Sequence, residues 1–599
     1  MPHYAPPLPE FQFLLQEVFD YEATVTALPG LQDATMDIVL AALEAAGAFS
    51  KNLLLPINLD GDHEGCAMAH GKVFTPSGYK QAYGDFREGG WPSLAGDPNY
   101  GGQGLPLSLA LFVREFIASG SMAFGMYGGL SQGAYRAISA HGSDFLKSLF
   151  LPRLIDGSWT GTMCLTEPES GSDLSQLRTR AVPEADGTYR LTGAKIFISG
   201  GDHDLADNIV HLVLGRLPDA PPGTRGISLF VVPKLWPAAG QDSASLTDNG
   251  VICSSIEHKM GIRASATAAL NFEGARGWLL GEPHGGLRAM FTMMNSSRVG
   301  VAVQSVGVAE LSLQNARSYA LERRQGRAPQ PAGAKPIGGT SDPIIMHPDV
   351  RKNLLTMKAL VEGCRALYVE QAMALDVRAR HADAAAQERA DSDLALMTPV
   401  LKSFISDCAV ETTRLGIVIY GGHGYVHENG MEQLLRDASI VPLYEGTNGI
   451  QAIDLVTRKI PADGGRAVND FLERVLMSIN ALRGRSELAA VCAKLGESLI
   501  HLQQATLFMQ DRVKSDPVTA AAGASDYLRM FGLVACGHAW LRIAAAALRA
   551  RGGQSPTFYK GKLAAARFFM NHLLPDTGRL ACTIREGAAS IVDLQPEEL

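Results

Sequence analysis

No pair of cysteines in this chain is spaced C-x-x-C, and none of the eight, at 66, 164, 253, 364, 408, 492, 536 and 582, sits in a Cys/His cluster at metal-ligand spacing. That excludes a disulfide framework and a sequence-encoded zinc site, and it predicts buried thiols in a reducing compartment. Cationic runs are equally scarce. The net charge is -8, which argues against nucleic acid or an anionic membrane as the main partner. The start, MPHYAPPLPEF, has no basic segment leading into an apolar one, so no export signal is read there. The most apolar late stretch, GLVACGHAWLRIAAAALRA, is broken by His538 and Arg542, and no membrane span is expected from it. Repeats at solenoid periods are also missing. Cytoplasm is the default location.

What is present is the material of a large globular protein. With 599 residues, 46% hydrophobic and 19% charged, the chain exceeds a single core, and about three or four domains are expected. Apolar residues recur at three and four in DATMDIVLAALEAAGAFS and in the glycine-interrupted run from Leu109 to Gly142, so residues 1–160 read as an arm followed by an α-helical domain. The period then changes. YRLTGAKIFIS, NIVHLVLGRL, GISLFVVPK and AALNFEGA predict a small β-barrel or sandwich over 161–280. Helical periodicity returns over 281–460 as an antiparallel four-helix bundle, interrupted by the Pro/Gly loop GRAPQPAGAKPIGGTSDP. A break at IPADGG precedes a further helical domain, 461–599. The fold class is α+β.

Several stretches carry chemistry. In VPLYEGTNGIQ, Val441 to Gln451, one carboxylate, Glu445, stands between an apolar approach and a polar turn. Apolar surroundings favour its neutral form and suit it to act as a general base, whereas an ordinary loop with a solvated Glu is the alternative. CLTEPESGSD, Cys164 to Asp173, has a glycine, Gly171, and hydroxyls suited to a polar cofactor edge; a plain surface loop is the alternative. KIFISGGDHD ends a strand in Phe197, Ser199 and paired glycines, with Phe197 offering a flat face to a ring system or simply filling a core. YALERRQG ends a helix in consecutive arginines, either a pyrophosphate clamp or a solvated helix end. YGGHGYVHENGMEQLLRDA has four glycines for close ligand approach, but no βαβ unit surrounds Gly422 to Gly424, which excludes a dinucleotide fingerprint. His423 and His427 lack a third ligand, so no metal is expected.

Taken in order, and together with GWPSLAGDPNYGGQGLP from Gly90 to Pro106, these stretches resemble the acyl-CoA dehydrogenase family over roughly residues 40–460. The overall length resembles the family's branch of about 600 residues, which includes 3-methylmercaptopropionyl-CoA dehydrogenases and bacterial fatty acyl-CoA dehydrogenases. The resemblance implies FAD as cofactor and an acyl-CoA as substrate, oxidised to the trans-2-enoyl-CoA. It implies Glu445 as catalytic base, with Arg298 near its loop. Where some relatives carry the base on the preceding helix, Ser297 stands here. Leu165, Thr166, Gly171, Phe197 and Ser199 are implied at the flavin, with Arg323, Gly422 and Thr447 also binding FAD. Ser172, Tyr444 and Gly446 are implied at the substrate, and Phe124, Met126, Tyr127 and Leu130 along the acyl pocket. Phe197 replaces a more usual Trp, RRQGR lacks the usual Phe before Gly, and Val418 and Gly449 stand where shorter members carry Gln. A medium- or long-chain fatty acyl-CoA is the first expected substrate, methylthiopropionyl-CoA the second, and an acyl-CoA oxidase the neighbouring activity. The expected acceptor is an electron-transfer flavoprotein and the expected assembly a homodimer.

Overall fold

The computed structural model describes residues 2–237, 246–329 and 340–598. Ten residues of the Pro/Gly loop, 330–339, lie outside the described residues. The chain divides into two compact units, Ala48–Gly300 and Met1–Gly47 with Val301–Leu599.

In the unit Ala48–Gly300, the glycine-interrupted run is two helices rather than one: α1, Leu107–Gly120, and α2, Met122–His141. Ser121 separates them. Its backbone is extended and its hydroxyl accepts a 3.3 Å hydrogen bond from Phe124 N–H, which caps α2. A third helix, α3, Asp144–Ile155, starts on Ser143 in the same way.

The β segment is a barrel of seven strands: β1 Trp159–Cys164, β2 Arg180–Pro183, β3 Tyr189–Ser199, β4 Asn208–Arg216, β5 Ile227–Pro233, β6 Val251–Ile256 and β7 Thr267–Leu279. They pair in the order β6-β7-β3-β2-β4-β1, and β5 pairs with both β4 and β7, which closes the ring. Closure leaves few open edges. Strand β4 explains why NIVHLVLG reads as an unbroken apolar run. Val213 packs inside the barrel with Leu191, Phe230 and Phe272, while Val210, Leu212 and Leu214 pack on the other side in one core with Ile138 and Phe150 from the helices and Trp159 from β1. Both faces of the strand are buried, so alternation disappears.

The other unit is helical. It contains α4 (Gly286–Glu322) from Val301 onward, α5 (Pro348–Arg380), α6 (Ala384–Tyr420), α7 (Met431–Ala438) and α8 (Asn448–Asp454). It continues through α9 (Ala489–Ser515), α10 (Pro517–Arg549), α11 (Pro556–Phe568) and α12 (Asp576–Glu586). Two helical runs among the described residues are long and apolar enough to cross a membrane, Met36–Glu64 and Pro517–Arg549. The second is the core of its unit, 89% buried in its most apolar window. A side chain at Gly532 would meet the ring of Phe404 on α6 at 2.3 Å, and Trp540 donates to the Ala359 carbonyl on α5 at 3.0 Å.

The N-terminal arm is tied into this unit rather than merely extended. Asn315 and Gln314 bond the backbone of His3 and Ala5 with both amide atoms, as a neighbouring strand would. The buried carboxylate of Glu10 pairs with Lys562 on α11, which also meets Glu362 on α5 at 3.0 Å.

Candidate active site

Glu445 lies on the loop between α7 and α8, half-buried, with φ +56, and Gly446 follows at φ +85. A non-glycine residue in the left-handed region is uncommon and persists only where its surroundings enforce it. Those surroundings are visible. Asn448 accepts from Lys402 Nζ at 2.8 Å, donates to Asp407 Oδ1 at 2.8 Å, and its backbone N–H donates to the Pro442 carbonyl at 2.9 Å. The Gln451 side chain donates to the Glu445 carbonyl at 3.3 Å, and Tyr444 donates to Gln304 Oε1 on α4 at 3.0 Å. Thr447 caps α8 through Ile450 N–H. Burial raises the Asp407 carboxyl above its ordinary range, against the pull of the Asn448 hydrogen bond. Lys402, Ser406 and Asp407 on α6 therefore fix the loop that carries Glu445, and sequence reasoning did not single them out. They stand more than forty residues before Asn448, and nothing local marks the pairing.

The barrel holds the residues implied at the flavin. Between the pairs Leu270↔Lys195 and Ala268↔Ile198, two residues of β3, Ile196 and Phe197, oppose the single Ala269. This β-bulge places Phe197 at φ +58 and leaves its side chain 60% exposed. The loop of Leu165 and Thr166 is fastened beside it: Ile196 N–H donates to the Thr166 carbonyl at 2.9 Å, and Lys195 Nζ to the Leu165 carbonyl at 3.0 Å. Lys195, fully buried, pairs with Glu167 at 2.8 Å, and Glu167 also accepts from Thr179 and from Arg178 N–H. Burial lowers the Lys195 ammonium below its usual range. Burial also opposes the Glu167 charge, but Lys195 and the hydrogen bonds hold that carboxyl below normal. Gly171 and Ser172 are exposed and Ser199 half-buried. An exposed aromatic on a bulged strand, backed by an ion pair, fits the flat face of a flavin.

The four residues implied for the acyl pocket separate. Phe124 lines a cavity with Gly125, Gly128, Gly129, Phe86 and Trp91. Tyr127 instead donates to the Ala264 carbonyl and accepts from Ala266 N–H. Leu130 packs into the core with Ala134 and Trp159, and Met126 is buried. Arg298 is buried too, with 7% of its surface accessible.

In the helical unit, Arg323 and Gly422 are exposed. Nearby, Tyr319 stacks on Tyr420 at 4.1 Å and its hydroxyl meets His423 Nδ1 at 3.3 Å. Arg324 bonds the Ser341 carbonyl and Arg327 pairs with Asp342 at 3.3 Å, so these two arginines hold the loop after the helix. A Cβ at Gly422 would meet nothing within 4 Å, which leaves room for a ligand against the backbone. His427 pairs with Glu432 at 2.6 Å.

A helical domain, a closed barrel and a second helical domain, with a carboxylate on a braced loop, define an oxidoreductase class that family models identify. They match acyl-CoA dehydrogenase N-terminal (65–158), middle (162–275) and C-terminal (284–460) domains, and an acetyl-CoA dehydrogenase C-terminal-like domain (466–595). The chain is 41% identical to 3-methylmercaptopropionyl-CoA dehydrogenase of Ruegeria pomeroyi, covering 95% of this chain and 96% of that one. It is 34% identical to the broad-specificity linear acyl-CoA dehydrogenase FadE5 of Mycobacterium tuberculosis, covering 84% of each. Among solved structures, Caenorhabditis elegans ACDH-11 in complex with C11-CoA superposes with a TM-score of 0.77 at 21% identity, covering 95% of this chain and 91% of that one. The chain belongs to the acyl-CoA dehydrogenase family. It is a flavoprotein of that family, which is FAD-dependent, with an acyl-CoA as substrate.

Proposed function

We propose that the protein converts a short acyl-CoA thioester, 3-methylthiopropionyl-CoA before straight fatty chains, to the trans-2-enoyl-CoA. The braced, left-handed Glu445 carries this reading. Its carboxylate takes the proton from the α-carbon, and its backbone N–H donates to the thioester oxygen, where negative charge develops as the proton leaves. Lys402 and Asp407, acting through Asn448, keep that carboxylate in place without reorganisation during the reaction. Phe197 and the Leu165–Thr166 loop orient the flavin, Ser172 meets the CoA chain, and Arg323, Gly422 and Thr447 hold the polar end of FAD. FAD, when bound, supplies the acceptor for the hydride leaving the β-carbon. Arg298 steadies the substrate end of its helix. An electron-transfer flavoprotein then reoxidises the enzyme, which works as a cytoplasmic homodimer.

The short chain is favoured by two observations. The Ruegeria relative of this name aligns over nearly the whole chain. The cavity beside Phe124 has a volume of about 30 Å³, where one water needs roughly 10–15 Å³. Anaerobic titration of the FAD-loaded protein with methylthiopropionyl-, butyryl-, octanoyl- and palmitoyl-CoA tests the reading. Loss of the visible flavin absorbance at the lowest concentration of the methylthio thioester supports it, and flavin that stays oxidised with every thioester overturns it. Peroxide formed at the rate of turnover under air assigns the oxidase activity instead.

A further inference from the structure

Helix α10 belongs to the segment that follows the four-helix region. It nevertheless packs on both helices on which the loop of Glu445 depends: α6, which carries the anchors, and α8, which Asn448 opens. The side chain of Asn448 is held by a short piece of α6. Lys402 donates to its oxygen at 2.8 Å, and its nitrogen donates to the Ser403 carbonyl at 3.3 Å, to Ser406 Oγ at 2.9 Å and to Asp407 Oδ1 at 2.8 Å. Phe404, in the same piece, meets α10. A Cβ at Gly532 would lie 2.3 Å from Phe404 Cγ and 2.7 Å from Phe404 Cβ. Those atoms are at the root of the side chain and cannot swing aside, so any residue but glycine drives α6 off α10. Arg529, three residues before Gly532, adds a charge to this interface. Burial raises the Asp407 carboxyl, the Asn448 hydrogen bond pulls it down and the Arg529 cation does so next, with Arg529 Nε 3.6 Å from Asp576 at the start of α12.

We propose that Gly532 is a positioning residue for proton removal by Glu445: through this glycine the C-terminal helical domain fixes α6, and with it the aim of the base. The inference deepens the acyl-CoA dehydrogenase reading above and rests on Glu445 as its base. A change in the distance between α10 and α6 is passed to Asn448, whose backbone N–H closes the loop on the Pro442 carbonyl at 2.9 Å, and so to Glu445. Misplacing a reacting group by about 1 Å can cost about 10²-fold in rate. The last domain is therefore part of the support of the base loop.

We would measure the single-turnover rate at which saturating thioester reduces the bound FAD, using the thioester that acts at the lowest concentration in the titration above, with and without deuterium at its α-carbon. Gly532→Ala is compared with Gly363→Ala on α5, where a Cβ would meet Cys536 Sγ of α10 at 2.4 Å. Both variants overfill a contact of α10 and should lower the thermal midpoint, but only Gly532 meets the piece of α6 that holds Asn448. At full FAD content, Gly532→Ala should reduce its flavin at least about tenfold more slowly, with the slowing by deuterium kept, and Gly363→Ala should stay within about twofold of wild type. Phe404→Ala opens the same contact instead of overfilling it. It should be at least about fivefold slower, and the double variant should be faster than either single one, because the new methyl takes part of the space of the ring. If Gly532→Ala yields no folded holoenzyme, Phe404→Ala carries the comparison. A rate within twofold of wild type in the variant that carries it overturns the proposal, as does loss of the deuterium effect. Equal slowing in Gly363→Ala marks a merely structural role and also overturns it. A wild-type flavin that stays oxidised with every thioester, or a Glu445→Gln protein at the wild-type rate, sinks the underlying reading instead.

Discussion

Among the described residues, seven non-glycine positions have left-handed φ, and both Glu445 and Phe197 are among them. Each is held there by a different device, a hydrogen-bonded loop for the one and a β-bulge for the other. Such strain marks places where a side chain is aimed rather than packed. Replacing Glu445 by Gln keeps shape and removes the proposed base, so kcat should fall by about 10²- to 10⁴-fold at unchanged FAD content, read by steady-state assay and flavin absorbance. Phe197→Ala makes a different prediction. An exposed ring contributes little to folding, so the thermal midpoint of FAD-free protein should hold within the equivalent of about 0.5 kcal/mol. FAD should bind about tenfold more weakly, as roughly 1.4 kcal/mol of stacking is lost. Unaltered FAD affinity would show that the ring does not meet the flavin.

At the scale of elements, two polar contacts hold the loops that matter. Asn448 joins its loop to α6, and its replacement by Ala leaves Lys402 and Asp407 without the amide between them. Unfolding by denaturant should show a loss of about 1–3 kcal/mol, and kcat should fall more than KM rises because the position of Glu445 is blurred. Lys195→Met leaves Glu167 buried without its cation, a change of about 3–5 kcal/mol, visible as a lower thermal midpoint together with faster loss of FAD. Element type was legible in the chain wherever periodicity was strong: the barrel strands and the long helices follow hydrophobic spacing, whereas the break at Ser121, inside a run that reads as one helical stretch, was not. Glu445 and Phe197 stood out in the sequence too, because each sits in a distinctive local stretch. Asn448's hold on α6 and the bulge opposite Ala269 were not legible. Each depends on residues brought together from distant segments, which spacing along one segment does not encode.

For the molecule as a whole, the helical unit is tied by a buried charge cluster linking the N-terminal arm, α5 and α11: Glu10, Lys562, Glu362 and Lys358. Burial works against the charge on Glu362, but Lys358 and Lys562 outweigh it and hold the carboxyl down to about 2, against 4.5 unperturbed. A depressed carboxylate contributes stability above its unfolded value and loses it as the pH falls through the folded one. Stability from Glu362 is therefore complete above about pH 4.5 and drains away toward pH 2. Glu10 is shifted upward, by burial before all else, with Lys562 only partly offsetting it, so its contribution runs the other way. The thermal midpoint followed from pH 5 downward should fall less steeply in Glu362→Gln than in the wild type, although that variant starts lower. Equal slopes would show that the ion pair is not what acid breaks.

The central claim is that Glu445 removes the α-proton of an acyl-CoA, and single-turnover reduction of the bound FAD measures it most directly. Methylthiopropionyl-CoA carrying deuterium at the α-carbon should reduce the wild-type flavin several-fold more slowly than the unlabelled thioester, and Glu445→Gln, with full FAD, should be at least about 100-fold slower than wild type with either. A Glu445→Gln protein that reduces its flavin at the wild-type rate would contradict the account.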